Sequence, residues 1–389
     1  NGDTLQGTVN FNDLKWNDKE PLRETLGNIH CETHPFIIPY SSGTTGLPKG
    51  VCLSHSNLVV NLLQTELIEG RAFSSDERLI SPLPFFHIYG LVASSIYAAR
   101  YGQTVITMSG RFKLEDFCEL VETHSPHRAH LVPPIILGLA KNPVVDYYDM
   151  SSLKMILSAA APLSGDIERE VRERLRCGVK QAWGMSELSP IGTLSSDENP
   201  RSGSVGNLVS STFGKIVDPE TGKNLGPGET GELFIKGPQV MMGYKDDPEK
   251  TAQCLTEDGW LRTGDIGYYD KDFYFFVTDR LKEMIKVRGF PVAPAEIESL
   301  LLTHDHVQDA AVIATNCERS GELPKAYIVL KRDVVVSSEE IHVWVNERVS
   351  PHKRLAGGIC FTHEIPKSAS GKILRRVLRD LDRATNNVQ

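Results

Sequence analysis

Between Tyr40 and Gly50 the chain reads YSSGTTGLPKG, which gathers hydroxyls, glycines and one lysine into a single short stretch. Small residues let a backbone approach a ligand closely. Consecutive N–H groups in such a loop form an anion-binding concavity, and Ser, Thr and Lys side chains add donors and a point charge. That mixture suits the cradling of a polyphosphate. A solvated turn explains the same Gly, Ser and Pro content equally well, so the stretch by itself leaves both readings open. The spacing is not that of the P-loop G-x-x-x-x-G-K-[ST]: Pro48 stands five residues after Gly43, and Gly50 follows Lys49. The flanks differ as well. Residues 36–40 and 51–53 read as strands, and a helix starts only afterwards, with Ser54 or Ser56 as N-cap, running through NLVVNLLQTELI.

Other clusters carry less. His124, His127 and His130 are spaced by three, but Pro126 interrupts any helix that would align them, so they read as surface or packing residues rather than metal ligands. His304-Asp305-His306 reads as a loop. Gly203-Ser204-Val205-Gly206 lacks the G-x-G-x-x-G spacing, which gives no support for a nicotinamide cofactor.

The elements that must position these residues fall into three textures. Residues 36–190 alternate strands (104–107, 154–157, 179–183) with helices (114–123, 165–176), the pattern of parallel βαβ units. From about residue 195 to 279, short strands between Gly/Pro/Asp turns predict a β-rich subdomain. Residues 280–389 predict a small α+β domain: helices at 294–302 and from Ser338, strands at 310–314, 326–330 and in ICFTHEIP, and a last helix. In that helix Leu374, Val377, Leu378 and Leu381 fall at i, i+3, i+4 and i+7, which predicts one packed face.

The 389 residues suffice for two or more domains. A net charge of −8 disfavours a general nucleic-acid binder. Seven scattered cysteines without a C-x-x-C pair predict reduced thiols in an intracellular, cytoplasmic protein. The longest apolar stretch, residues 84–99, is interrupted by His87 and small polar residues and reads as a buried helix with its approach loop rather than a membrane span. No secretion signal and no S-K-L-type C-terminal address are seen. Nothing in the sequence speaks to oligomeric state.

Four further stretches, QAWGMSE (181–187), GWLRTGDIG (259–267), DRLKEMIKVRGFPVAPAEIE (279–298) and PKSASGK (366–372), follow YSSGTTGLPKG in order. Together they resemble the adenylate-forming, AMP-binding superfamily, in the acyl/aryl-CoA ligase branch that includes 4-coumarate–CoA ligases and beetle luciferases. The resemblance runs from about residue 30 to the end. Family members carry a substantial segment before the loop, so it also implies an N-terminally truncated chain. It implies an α/β fold with a partial large domain over 1–279 and a small mobile domain over 280–389, hinged near 280–282.

The resemblance further implies an acid–thiol ligase using ATP, Mg2+ and coenzyme A, with a small-molecule carboxylic acid as substrate. Acyl-AMP and pyrophosphate form first, and a thiol then displaces AMP. A carrier-protein thiol or a luciferase-like oxidation is the alternative fate of the acyl-AMP, and a non-catalytic nucleotide-binding fragment is the alternative of another class. Ser41, Ser42, Gly43, Thr44, Thr45, Gly46 and Lys49 would hold the β- and γ-phosphates. Glu187 would bind Mg2+, and Ser186, where Thr is usual, would donate to phosphate. Trp183 and Gly184, with Ala160 of SAAAP, would form the adenine site, and Trp stands there in place of the frequent Tyr. Asp265 and Arg280 would take the ribose. Lys372 would be the catalytic lysine of adenylation, brought in by a swing about Lys282, with the rest of KILRR a solvated face. Lys286 and Gly289 would face the thiol channel, beside Pro291 where Gln is common. His87, Tyr89 and Ala182 would line the acyl pocket, His87 also fitting a hydrogen-bonded core histidine.

Overall fold

Ser54 ends one strand and starts a helix. Its hydroxyl accepts from Asn57 N at 3.1 Å, and Asn57 Oδ1 accepts from Ser54 N at 2.9 Å, a reciprocal cap that satisfies two otherwise orphaned donors. The helix His55–Glu69 follows. Of the two candidate caps, Ser54 is therefore the one used. The computed structural model describes residues 28–41, 48–69, 74–110, 112–317, 321–368 and 371–386. Ser42, Gly43, Thr44, Thr45 and Gly46 lie outside them. On either side, Tyr40–Ser41 pairs antiparallel with Lys49–Ser54, so the described residues that flank this stretch are extended, as expected.

The helix covers a seven-stranded sheet whose order is Asn207–Leu208, Ile191–Leu194, Gly178–Gly184, Met155–Ser158, Arg128–Leu131, Arg78–Ser81 and Thr104–Thr107. The last five run parallel, joined by helices that include Leu114–His124 and Gly165–Leu175, the βαβ pattern read from the sequence. Ser164 caps the second of these helices. The first two strands are antiparallel, which the sequence reading did not anticipate. IGTL is short and wholly buried, so it shows no alternation to read. Leu53, Ile80, Leu131, Ile156 and Val179 are fully buried in this core, each worth about 1.5–3 kcal/mol of transfer free energy.

Five antiparallel strands, Asn224–Leu225, Phe213–Val217, Gly231–Lys236, Leu261–Tyr269 and Phe275–Arg280, form the β-rich region. Beyond them a long hairpin, Val307–Cys317 with Gly321–Leu330, is flanked by Ile285–Val287, Phe290–Val292 and Ile359–Phe361. Helices Pro294–Leu302 and Ser338–Asn346 pack on it around a separate core of Ile285, Ile297, Val312, Ile328 and Ile341. Ser337 and Glu340 cap the second helix reciprocally. Among the described residues no helix is long and apolar enough to cross a membrane.

One expectation for this region holds only in part and another fails. The strand in ICFTHEIP stops at Phe361, where Thr362 turns to bond Glu364. The last helix, Arg375–Asn386, does not bury its apolar stripe: Leu378 is 2% exposed, but Leu374, Val377 and Leu381 are 39–54% exposed. Its inward seam is largely ionic. Arg375 bonds both oxygens of buried Glu298 at 2.7 and 2.8 Å, Arg379 pairs with Glu283 at 2.9 Å, and Asp382 takes Lys325 and Thr315. KILRR is thus not simply a solvated face. Counting apolar periodicity misses a helix that docks through paired charges.

Candidate active site

Strand Gly178–Gly184 ends beneath the antiparallel sheet and delivers Ala182, Trp183 and Gly184 in succession. Gly184 is required by close approach: a Cβ there would lie 2.0 Å from the Pro190 carbonyl oxygen. A 3-10 turn, Ser186–Leu188, follows and buries both Ser186 and Glu187. From the neighbouring sheet, the register sets Asp265 directly opposite Arg280. Trp183 Nε1 donates to Asp265 Oδ2 at 2.7 Å, and Arg280 Nε stands 2.9 Å from Oδ1. The adjacent carboxylate of Asp265 is the main influence raising the proton affinity of the Arg280 guanidinium. Asp265 Oδ1 is buried and, apart from that ion pair, makes no hydrogen bond among the described residues. It retains acceptor capacity toward a ligand hydroxyl.

Glu187 Oε1 accepts from the hydroxyl of Tyr244 at 2.7 Å, and Lys49 Nζ lies 4.5 Å from the centre of the Tyr244 ring. The small sheet makes this meeting, because Gly243–Tyr244 pairs with Lys49–Ser54. Burial and the adjacent Glu187 carboxylate push the Tyr244 phenol well above its ordinary range. Sequence reasoning missed Tyr244, which lies outside every motif that reasoning used.

Lys372 enters from the far end of the chain. Its backbone N donates to Ser368 Oγ at 3.1 Å. Gly371 before it is left-handed, with φ +78°, and a Cβ there would come 3.0 Å from Val132 Cγ2, so this turn rests on the large sheet's helix Pro133–Lys141. Burial, and after it the positive charge of Arg280, lowers the proton affinity of the Lys372 amine. His87 faces the same space. Burial and then Lys372 push it down to about 4, so the ring is neutral near pH 7, and its Nδ1 accepts from Tyr89 N at 3.2 Å. The Tyr89 hydroxyl turns away to donate to Leu157 O at 3.1 Å. Ala160 adopts φ +74°, a left-handed conformation that is strained for a residue with a Cβ.

These residues surround one cavity of about 430 Å³. Ser41, Lys49, His87, Tyr89, Ala160, Ala182, Trp183, Gly184, Ser186, Glu187, Arg280, Lys282 and Lys372 all line it, and Asp265 sits behind its wall. Lys286 and Gly289 do not; they lie exposed on the hairpin 285–292. Glu232, Cys254 and Arg262 also reach the cavity without having been singled out in the sequence. Among the described residues no three or more His, Cys, Asp and Glu converge as a metal site. His130 instead packs against Tyr89, with ring centres 5.9 Å apart.

Residues 4–245 match the family described as AMP-binding enzyme, and residues 296–372 match the AMP-binding enzyme C-terminal domain. A probable 4-coumarate–CoA ligase of Dictyostelium discoideum is 44% identical over 89% of this chain, which spans 63% of that relative's length. The ATP-bound MatB of Rhodopseudomonas palustris superimposes with a TM-score of 0.81 at 29% identity, covering 88% of this chain and 67% of its own. The o-succinylbenzoate coenzyme A synthetase of Bacillus subtilis, solved in complex with ATP and magnesium ion, gives 0.76 at 31% identity over 88% and 69% of the two chains. Motifs, fold and these similarities agree that the chain belongs to the AMP-binding enzyme family.

Proposed function

We propose that the cavity activates a carboxylic acid with ATP and hands the acyl group to coenzyme A, as an acyl- or aryl-CoA ligase does. The observation that carries this reading is the arrival of Lys372, with its amine in a partly desolvated site, in a cavity already holding Glu187 and Arg280. A carboxylate attacking the α-phosphorus of ATP meets an anion–polyanion repulsion, and fixed cations and donors offset it. The acid oxygen bonds to the α-phosphorus, the bond to the bridging oxygen breaks, and pyrophosphate leaves.

In this reading Ser41, Lys49 and the stretch from Ser42 to Gly46 hold the β- and γ-phosphates, with Ser186 donating beside them. Trp183, Gly184 and Ala160 flank the base, and Asp265 with Arg280 takes the ribose. His87, Tyr89 and Ala182 bound the acid. Glu187, a buried carboxylate that lines the cavity, fits Mg2+ bound chiefly through substrate phosphates, where it would supply charge neutralisation. Glu187 Oε1 is engaged by Tyr244, while Oε2 has no hydrogen bond or ion pair among the described residues.

Residues 280–389 act as the smaller domain and turn about Lys282. In the orientation described here Lys372 is inserted; withdrawal would bring Lys286 and Gly289 toward the thiol. The name of the Dictyostelium relative supports coenzyme A as acceptor. The test is pyrophosphate release from ATP and Mg2+ across fatty and aryl acids, with and without coenzyme A. Release with one acid class and turnover only with coenzyme A is expected. Acid-dependent release whose repeated turnover coenzyme A does not increase would replace the acceptor with a carrier thiol or an oxidation, and no release with any acid would overturn the reading.

A further inference from the structure

We propose that Tyr244 is a positioning residue for the metal and phosphate end of the cavity, its hydroxyl orienting Glu187 and its ring keeping Lys49 apart from Glu187. The inference rests on the reading of Glu187 as the Mg2+ ligand. Tyr244 is itself held firmly. It closes the strand Gly243–Tyr244 opposite Val51, and its backbone N donates to Thr251 Oγ1 at 2.9 Å. One oxygen of Glu187 is engaged by the phenol at 2.7 Å, which removes the carboxylate's freedom to rotate and leaves Oε2 for a cation. Such an outer partner raises the affinity of the ligand it orients.

The ring does a second job. Lys49 and Glu187 carry opposite charges and share one cavity, yet among the described residues they form no ion pair; the ammonium rests on the aromatic face at 4.5 Å instead. A cation–π contact leaves the ammonium's charge unneutralised. A direct Lys49–Glu187 pair would cancel the cation needed for phosphate and the anion needed for metal. Tyr244 therefore keeps two opposite charges ready for two different ligands.

The test titrates ATP into the full chain by calorimetry, first without divalent metal and then with Mg2+, for wild type, Tyr244→Phe, Tyr244→Ala and Glu187→Gln. Tyr244→Phe keeps the ring and loses the hydroxyl. Its metal-free ATP affinity is expected to match wild type, which also shows that it folds, while its Mg2+ requirement rises by about 10–100-fold. Tyr244→Ala is expected to lose metal-free ATP affinity as well, through collapse of Lys49 onto Glu187. In a Glu187→Gln background the effect of Tyr244→Phe on the Mg2+ requirement is expected to vanish. Persistence of the full effect there, or a Tyr244→Phe protein with wild-type metal dependence while Glu187→Gln has lost it, overturns the role of Tyr244 and spares the reading beneath it. A wild-type chain that binds ATP with no dependence on Mg2+ overturns both.

Discussion

The indole N–H of Trp183 donates to Asp265 Oδ2 at 2.7 Å, joining two residues 82 positions apart in the chain. It ties the end of the parallel sheet to the antiparallel sheet and fixes which Asp265 oxygen is left for a ligand. Trp183→Phe removes the donor and leaves a buried carboxylate oxygen unpaired. Hydrogen bonds to charged groups contribute about 1.5–3 kcal/mol, so ATP affinity should fall by about tenfold or more. Equilibrium ATP binding, read beside thermal unfolding, checks this. A lowered Tm with unchanged ATP affinity would confine the bond to stability.

Lys372→Ala should slow acyl-AMP formation by about 10²–10³-fold, the usual effect of removing one fixed stabiliser of developing charge. Thioester formation from supplied acyl-AMP should stay close to wild type. Separate assays of the two half-reactions decide, and equal loss in both would rule out a lysine that serves one orientation only.

Arg375→Ala should destabilise the C-terminal region by about 3–5 kcal/mol, because Glu298, 7% exposed, would lose its guanidinium partner in a buried site and keep the Val312 N–H. Arg376, whose contact to Asp380 is solvent-exposed at 3.9 Å, should tolerate the same change within about 0.5 kcal/mol. Urea unfolding of both variants, with amide exchange over residues 294–302 and 375–386, makes the comparison. Similar losses from both would place the Glu298 contact among ordinary surface pairs.

Acid should weaken the fold through two histidines. Burial, and then Arg128 and Lys180, push His130 down to about 3, and His87 is pushed down to about 4. Both are neutral in the folded chain, whereas an unfolded imidazole takes a proton near pH 6.5. The unfolded chain therefore binds more protons in that window. Stability is full above about pH 6.5 and is lost as pH falls toward the folded values, by about 2 kcal/mol for His130 at about pH 5. Urea midpoints at about pH 7.5 and about pH 5 measure the loss, and His130→Gln should flatten it. A His130→Gln protein with an unchanged pH slope would assign the loss to other groups.

Local chemistry was enough for much of the architecture. The strand Thr104–Thr107 and the helix Pro294–Leu302 stand where the sequence places them, because β-branched runs, proline starts and apolar spacing act among near neighbours. The motif residues were legible too: Lys49, Glu187, Arg280 and Lys372, named from separate stretches, line one cavity. The tertiary structure alone decided what joins them. The Asp265–Arg280 pairing is a matter of strand register. Tyr244 reaches Glu187 only because a two-residue strand adds to a sheet begun near residue 35. Arg375, read as part of a solvated basic stretch, bonds Glu298 across 77 residues. A charge can be buried only where its partner is, and no window of neighbouring residues contains that partner.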